Sequence, residues 1–229
     1  MARDLDKTAG NNIDAFLAKV KVTPAPSTGG RGRLIFAMDA TASRQAQWDN
    51  ALHIQAEMFQ AAEELGGLDI QLIYYRGFGE CRASRWYTDP AELRRAMLTV
   101  SCLGGHTQIR KVLARAGKET REKPVQAVVF VGDCMEESAD DLCQRAGELG
   151  LLKTPLFMFQ EGRDALATDT FQQMAKLSGG AWCPFDAASA ETLKRLLKAV
   201  AVYAAGGRKA LANHSKGDQQ VAGLLEQLK

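Results

Sequence analysis

Leu34-Ile35-Phe36-Ala37-Met38-Asp39-Ala40-Thr41-Ala42-Ser43 is the stretch on which the reading of this chain turns. An apolar run ends in an aspartate, and two hydroxyl residues follow at every second position. Such a run, with Gly32 upstream and a polar turn downstream, reads as a buried strand of a parallel sheet. The residues after it, from Gln45 to about Leu65, carry Trp48, Ala51, Leu52, Ala56, Phe59, Ala62 and Leu65 at helical spacing, and Gly66-Gly67 ends them. Asp39, Thr41 and Ser43 therefore lie on a strand-to-helix loop at the carboxyl end of a strand, where open α/β sheets place ligands. Three oxygen side chains on one short turn suit a hard cation.

The pattern repeats outward from there. Asp69 to Tyr75 reads as a second strand and Cys81 to Tyr87 as a third, joined through Gly77 and Gly79. That connection is too short for a parallel crossover, so the pair is expected to be an antiparallel hairpin at one sheet edge. Asp89 and Pro90 open a helix to about Leu98. A Gly-rich loop, Cys102 to Ile109, precedes a helix reaching about Ala116. Val125 to Val131 is the most apolar strand and ends in Gly132-Asp133-Cys134. Ser138 caps a helix to about Leu149. Pro155 to Gln160 is a strand, 169 to 177 a helix, Gly180 to Phe185 the last strand, and Glu191 to Tyr203 a closing amphipathic helix. The expected fold is α/β: a doubly wound, mostly parallel six-stranded sheet with one antiparallel edge strand and helices on both faces.

Residues 1–32 read as an extension, with a short helix capped by Asn12 and a Pro/Gly-rich linker; 33–204 as the domain; and 205–229 as a tail in which Val221, Leu224, Leu225 and Leu228 have helical spacing. At 229 residues, 46% hydrophobic and 24% charged, the chain is long enough for one sizeable core. A net charge of +2 predicts neither a nucleic-acid stripe nor a membrane surface. The polar start has no signal-peptide core, and no apolar run is long enough to span a bilayer. Five scattered cysteines with no CxxC pair fit reduced thiols, and the expected location is cytoplasmic. Arg82, Arg85, Arg94 and Arg95 read as a solvated basic face, and Trp48, Trp86 and Trp182 as core or hairpin packing.

Two further oxygen ligands sit on loops of this plan: Thr107 after Gly104-Gly105, and Asp133 closing the strand 125–131. If the strands ending in Asp39 and Asp133 are neighbours, one cation can bridge both carboxylates, which otherwise repel. Two carboxylates, three hydroxyls and water make an all-oxygen set for Mg²⁺ or Mn²⁺, less so for Ca²⁺. Taken singly, Asp39 is as well read as a helix cap, Thr107 as a cap before Gln108-Ile109, and Asp133 as a turn residue. His106 and Glu136 are candidates for the rim of the site, although an exposed loop histidine and a glutamate favouring a helix dipole are the simpler readings.

Asp39-x-Thr41-x-Ser43, then Thr107, then Asp133 resembles the von Willebrand factor type A (VWA) domain and its metal-ion-dependent adhesion site (MIDAS), over about residues 33–204. One departure is Cys134, where the family usually has Gly. The resemblance implies that Thr41 and Ser43 bind the metal directly. It has Asp39 and Asp133 bind directly or through water, and Thr107 join or leave the inner shell with conformation. It also implies that a partner protein's Glu or Asp fills the open position, with no enzymatic step, and loosely an adaptor for an assembly such as an AAA-type ATPase. Two alternatives compete: a haloacid-dehalogenase-like phosphatase and a scaffold with an idle metal site. The phosphatase needs a second Asp at the position held by Thr41. No Walker or dinucleotide-binding glycine motif is present.

Overall fold

The computed structural model describes residues 31–185 and 190–217. The N-terminal helix and most of the linker expected before residue 33, and the apolar-spaced segment at 221–228, lie outside them. Six strands form one sheet: β1 (Gly32–Asp39), β2 (Leu68–Arg76), β3 (Glu80–Tyr87), β4 (Ala127–Gly132), β5 (Leu156–Glu161) and β6 (Ala181–Phe185), in the order β3-β2-β1-β4-β5-β6. All neighbours run parallel except β2 and β3, the expected hairpin.

All eight residues of β1 are buried, because the strand is central and covered on both faces. Its side chains alternate accordingly. Leu34, Phe36 and Met38 enter one core with α1 (Gln45–Ile54), α2 (Ala56–Ala62), α3 (Pro90–Leu98) and α7 (Ala190–Gly217). Ile35 and Ala37 enter a second core with α4 (Ile109–Glu122), α5 (Ala139–Leu151) and α6 (Ala165–Ser178). The winding runs from β1 to β2 in one direction and onward from β4 to β6 in the other. The carboxyl ends of β1 and β4 are thus a topological switch point, where a crevice opens in sheets of this type.

Local chemistry explains most boundaries. The Asp89 side chain accepts from the Ala91 amide at 2.7 Å with Pro90 at the first helical position, and the Asp164 side chain accepts from the Ala167 amide at 2.7 Å. Asp164 starts α6 earlier than the expected 169. The helix expected over 45–65 divides at Gln55 into α1 and α2 and tightens into a 3₁₀ turn, Glu63–Leu65, before Gly66 at φ 99°. α4 runs past the expected 116 to Glu122, supported by the Lys118–Glu122 pair on its exposed side and the Arg115–Glu119 pair, whose glutamate is buried. α7 runs past the expected 203, through Gly206-Gly207, to Gly217. Ala205 and Ala210 on either side of the glycine pair pack with Leu65 against the first core, and that packing overrides the helix-breaking tendency of the pair.

The tryptophans pack as expected. Trp48 is buried with its Nε1 donating to the Met97 carbonyl, and Trp86 lies under the Arg33 guanidinium at 3.8 Å. Trp182 donates to Gln160 Oε1. Arg82 pairs with Glu80, Arg85 pairs with Glu92 and covers Tyr87, and Arg94 and Arg95 are exposed, so these four form a solvated face. The five cysteines are free thiols. Among the described residues, no helix is long and apolar enough to cross a membrane.

Candidate metal centre

Asp39 closes β1 and is almost fully buried. Its Oδ1 accepts from the Thr41 amide at 2.7 Å, which turns the chain out of the strand into the 3₁₀ turn Ala42–Arg44. Its Oδ2 is buried with no hydrogen-bond partner. The register pairs Met38 with Val131, which sets Asp39 level with Gly132 and Asp133 one step beyond. A Cβ at Gly132 would lie 3.8 Å from the Asp39 Cβ. Asp133 Oδ1 is likewise buried and unpartnered, while its Oδ2 lies 3.6 Å from Arg44 Nη1. Two neighbouring strand ends therefore each leave one carboxylate oxygen unsatisfied, a costly arrangement unless something cationic or protic completes it.

Burial pushes the Asp39 carboxyl above its ordinary range. The Thr41 hydrogen bonds and the Arg44 charge oppose that rise, and the Asp133 carboxylate adds to it. Beneath it, Tyr75 is fully buried, and burial followed by the Asp39 charge pushes its phenol well above its usual value. The Cys134 thiol, first by burial and then by the Asp133 charge, is pushed up to about 12, so beside the two carboxylates it is a neutral thiol. Thr41 is half-buried and Ser43 exposed, both on the same short loop.

The second loop is stitched to the first. Leu103 N donates to the Ala40 carbonyl at 3.0 Å, and His106 N and Gly77 N exchange bonds with Gly77 O and Leu103 O across the β2–β3 turn. Gly105 lies against Gly77 so closely that a Cβ would meet the Gly77 carbonyl oxygen at 2.0 Å. Thr107, which follows, is buried and does not cap α4, correcting that simple reading: the capping position is Gln108, whose side chain makes no cap bond. Instead, Thr107 Oγ1 donates to Glu137 Oε2 at 2.8 Å and accepts from the Glu136 amide at 2.9 Å. Its own amide donates to Glu136 Oε2. Thr107 is thereby drawn to the β4–α5 loop that carries Asp133, with its hydroxyl proton committed to Glu137.

The two glutamates favour a helix start, but that of α4 and not their own α5. Glu137 Oε1 accepts from the Arg110 amide at 2.9 Å. His106 is exposed, pairs through Nδ1 with Glu136 Oε2 at 2.9 Å, and meets the exposed Phe78 edge-on.

Sequence reasoning missed Arg44 and Glu161. Arg44, directly after Ser43, is buried and binds Glu161 at the end of β5 as well as approaching Asp133. Gln47 Nε2 donates to the other Glu161 oxygen at 2.6 Å. Glu161 gives the same signal as Asp39 and Asp133, an acid closing an apolar strand (Leu156–Glu161), and could have been found by it.

Among the described residues, no group of three or more His, Cys, Asp or Glu side chains is disposed to hold an ion. The set described above is of another kind, two carboxylates with hydroxyls. Its orphaned Asp39 Oδ2 and Asp133 Oδ1 fit a small, hard divalent ion. A cavity of about 110 Å³ elsewhere, between α4 and α5, is lined by Leu113, Gly117, Arg145 and Leu149 and involves none of these residues.

No family model and no curated protein matches the chain. Solved structures do, and they show that its fold is the VWA fold. A von Willebrand factor type A protein from Catenulispora acidiphila is similar at TM-score 0.62 and 16% identity over 76% of this chain, which spans 44% of that one. Proximal thread matrix protein 1 from the mussel byssus, with a zinc-occupied MIDAS motif, is similar at TM-score 0.57 and 16% identity, covering 75% of this chain and 46% of that one. The SpRpn10 VWA domain is similar at TM-score 0.54 and 13% identity, covering 68% and 88%.

Proposed function

We propose that the chain is a metal-dependent protein-interaction module and not an enzyme. In this reading Asp39, Thr41, Ser43, Thr107 and Asp133 hold a divalent cation, Mg²⁺ or Mn²⁺, at the switch point. The observation that carries it is the pair of buried, unpartnered carboxylate oxygens on adjacent strand ends, Asp39 Oδ2 and Asp133 Oδ1. Bound there, the ion supplies an electrophilic centre for one further oxygen ligand. Asp39 and Asp133 balance the ion's two charges and the neutral hydroxyls add none, so the ion keeps a Lewis-acidic open position for a carboxylate oxygen of a partner protein. Asp39 is fixed for this task by the Thr41 amide, and Thr107, its proton held by Glu137 and one lone pair by the Glu136 amide, keeps its second lone pair for an ion. His106 and Glu136 form the rim beside the open position. The zinc-occupied MIDAS of the mussel protein supports a divalent ion in this fold without favouring Mg²⁺ for this chain. An adaptor role in a larger assembly rests on the fold resemblance alone.

The test is metal titration of the full chain and of Asp39→Ala, by calorimetry and by thermal melts in MgCl₂, MnCl₂, CaCl₂, ZnCl₂ or EDTA. An ion at a hundredfold excess over its Kd stabilises the folded state by about 2.7 kcal/mol, a rise of roughly 5–11 °C for a chain of this size. Asp39→Ala is expected to abolish the rise while remaining folded. No ion that binds or stabilises wild type, or an equal response in the variant, refutes the reading.

A further inference from the structure

Arg44 sits between the proposed metal ligands and a third carboxylate. Its side chain is 3% exposed, and its Nη1 is shared by Glu161 Oε2 and Asp133 Oδ2, the latter at 3.6 Å. Nε and Nη2 are buried without hydrogen-bond partners, so the guanidinium is held in place by the carboxylates and not by a full fork of bonds. Glu161 is itself fixed, since Gln47 Nε2 occupies its second oxygen. A fixed cation therefore touches one of the two carboxylates that a divalent ion would use, on a turn whose preceding residue, Ser43, is a proposed ligand.

We propose that Arg44 is a built-in counter-ion that competes with the divalent cation for Asp133, and that Glu161 sets the strength of that competition. This deepens the metal-site reading and rests on it. Without an ion, the guanidinium offsets the repulsion between the Asp39 and Asp133 carboxylates and lets the edge of the sheet stay closed around them. An ion at Asp133 Oδ1 meets the like charge of Arg44 beside Oδ2, and Glu161 neutralises part of that charge. The pair thus sets affinity by position: Glu161 draws the guanidinium away from Asp133, and loss of Glu161 leaves it wholly to Asp133.

Truncating Arg44 alone leaves Glu161 buried and unpaired, which is destabilising in itself. The informative variants are Glu161→Gln and the double variant Arg44→Met/Glu161→Gln. The double variant removes one charge of each sign, so the net charge is unchanged and only the local competition is lost. The measurement is calorimetric titration of the full chains with MnCl₂, with melting temperature in EDTA as the second readout. A fixed like charge a few ångströms from a bound cation weakens its binding equilibrium by a factor of about ten or more. The double variant is therefore expected to bind Mn²⁺ at least about tenfold more tightly than wild type, and Glu161→Gln more weakly than wild type.

A folded double variant with unchanged or weaker affinity overturns the proposal, as does Glu161→Gln with unchanged affinity. Should the double variant not fold, the Glu161→Gln result decides alone. Wild type that takes up no Mn²⁺, Mg²⁺ or Zn²⁺ overturns this proposal and the metal-site reading together. Wild type that binds, beside a double variant that binds no more tightly, overturns this one only.

Discussion

Gly104 and Gly105 are adjacent, alike in sequence, and differ sharply in surroundings, which makes them a matched test of how the second loop is held. A methyl at Gly104 meets nothing within 4 Å. One at Gly105 would meet the backbone of Gly77 at 2.0 Å to oxygen, 2.2 Å to carbon and 2.4 Å to Cα. Backbone cannot swing aside as a side-chain end can, so Gly105→Ala must part the loop from the β2–β3 turn. The bonds at stake are Leu103 N to Ala40 O, His106 N to Gly77 O and Gly77 N to Leu103 O. At about 1 kcal/mol net each, loss of two or three costs about 2–3 kcal/mol. For a chain of this length that lowers Tm by roughly 4–12 °C. Gly104→Ala is expected to stay within about 0.5 kcal/mol of wild type. Thermal unfolding followed by circular dichroism in EDTA reads both variants without involving a metal. Equal shifts in the two variants, or a Gly105→Ala melt coincident with wild type, would falsify the argument that close backbone approach fixes this loop.

Glu119 governs an acid-sensitive step away from the candidate site. Burial raises its carboxyl, but hydrogen bonds from Gln71 and Trp86 and the charge of Arg115 outweigh burial and hold it below its ordinary range. A depressed carboxyl contributes stability that is complete above the unfolded value of about 4.3 and is lost as pH falls through the folded value. Denaturant unfolding between pH 3 and 7 is therefore expected to show a shallower acid limb for Glu119→Gln; curves parallel to wild type contradict it. Phe130 is packed edge-on against Phe171 at 5.6 Å and stacked against Tyr75 at 6.3 Å, directly beneath the candidate site. Phe130→Ala is expected to cost about 3–5 kcal/mol in the same assay, and a loss under about 1 kcal/mol would mean that the core collapses into the space.

What could be read in advance followed from patterns that are local along the chain. The apolar runs 33–38 and 125–131 announced strands, and the short Gly77–Gly79 link announced a hairpin, because strand length and turn length are properties of a few consecutive residues. Asp39 and Asp133 were legible for the same reason: each closes such a run. What stayed hidden depends on which strands become neighbours. Arg44 finds Glu161 across 117 positions only because β5 lies beside β4. Thr107 looked like a cap for the helix after it, yet its hydroxyl is engaged by Glu136 and Glu137 from a loop that arrives later in the chain. Helix ends were missed where packing outweighs local preference, as in α7, where Ala205 and Ala210 pack on the first core on either side of the glycine pair.

The order in which the chain is made has a bearing on how it can fold. β1, the central strand, leaves the ribosome first among the described elements, but its flank against β4 waits for residues 127–132. One face of it waits still longer, for α7. A Cβ at Gly32 would strike the Ala204 carbonyl at 2.3 Å, and Leu197, Val200, Ala201 and Tyr203 lie in the same core as Leu34 and Phe36. During synthesis that face of a strand with eight buried residues therefore stays incompletely covered for some 150 residues or more, about 8–30 seconds at ordinary elongation rates. Such an apolar edge is a site for chaperone capture or aggregation. Completion of the first core waits for α7, and long-range parallel pairing of this kind is slow to form.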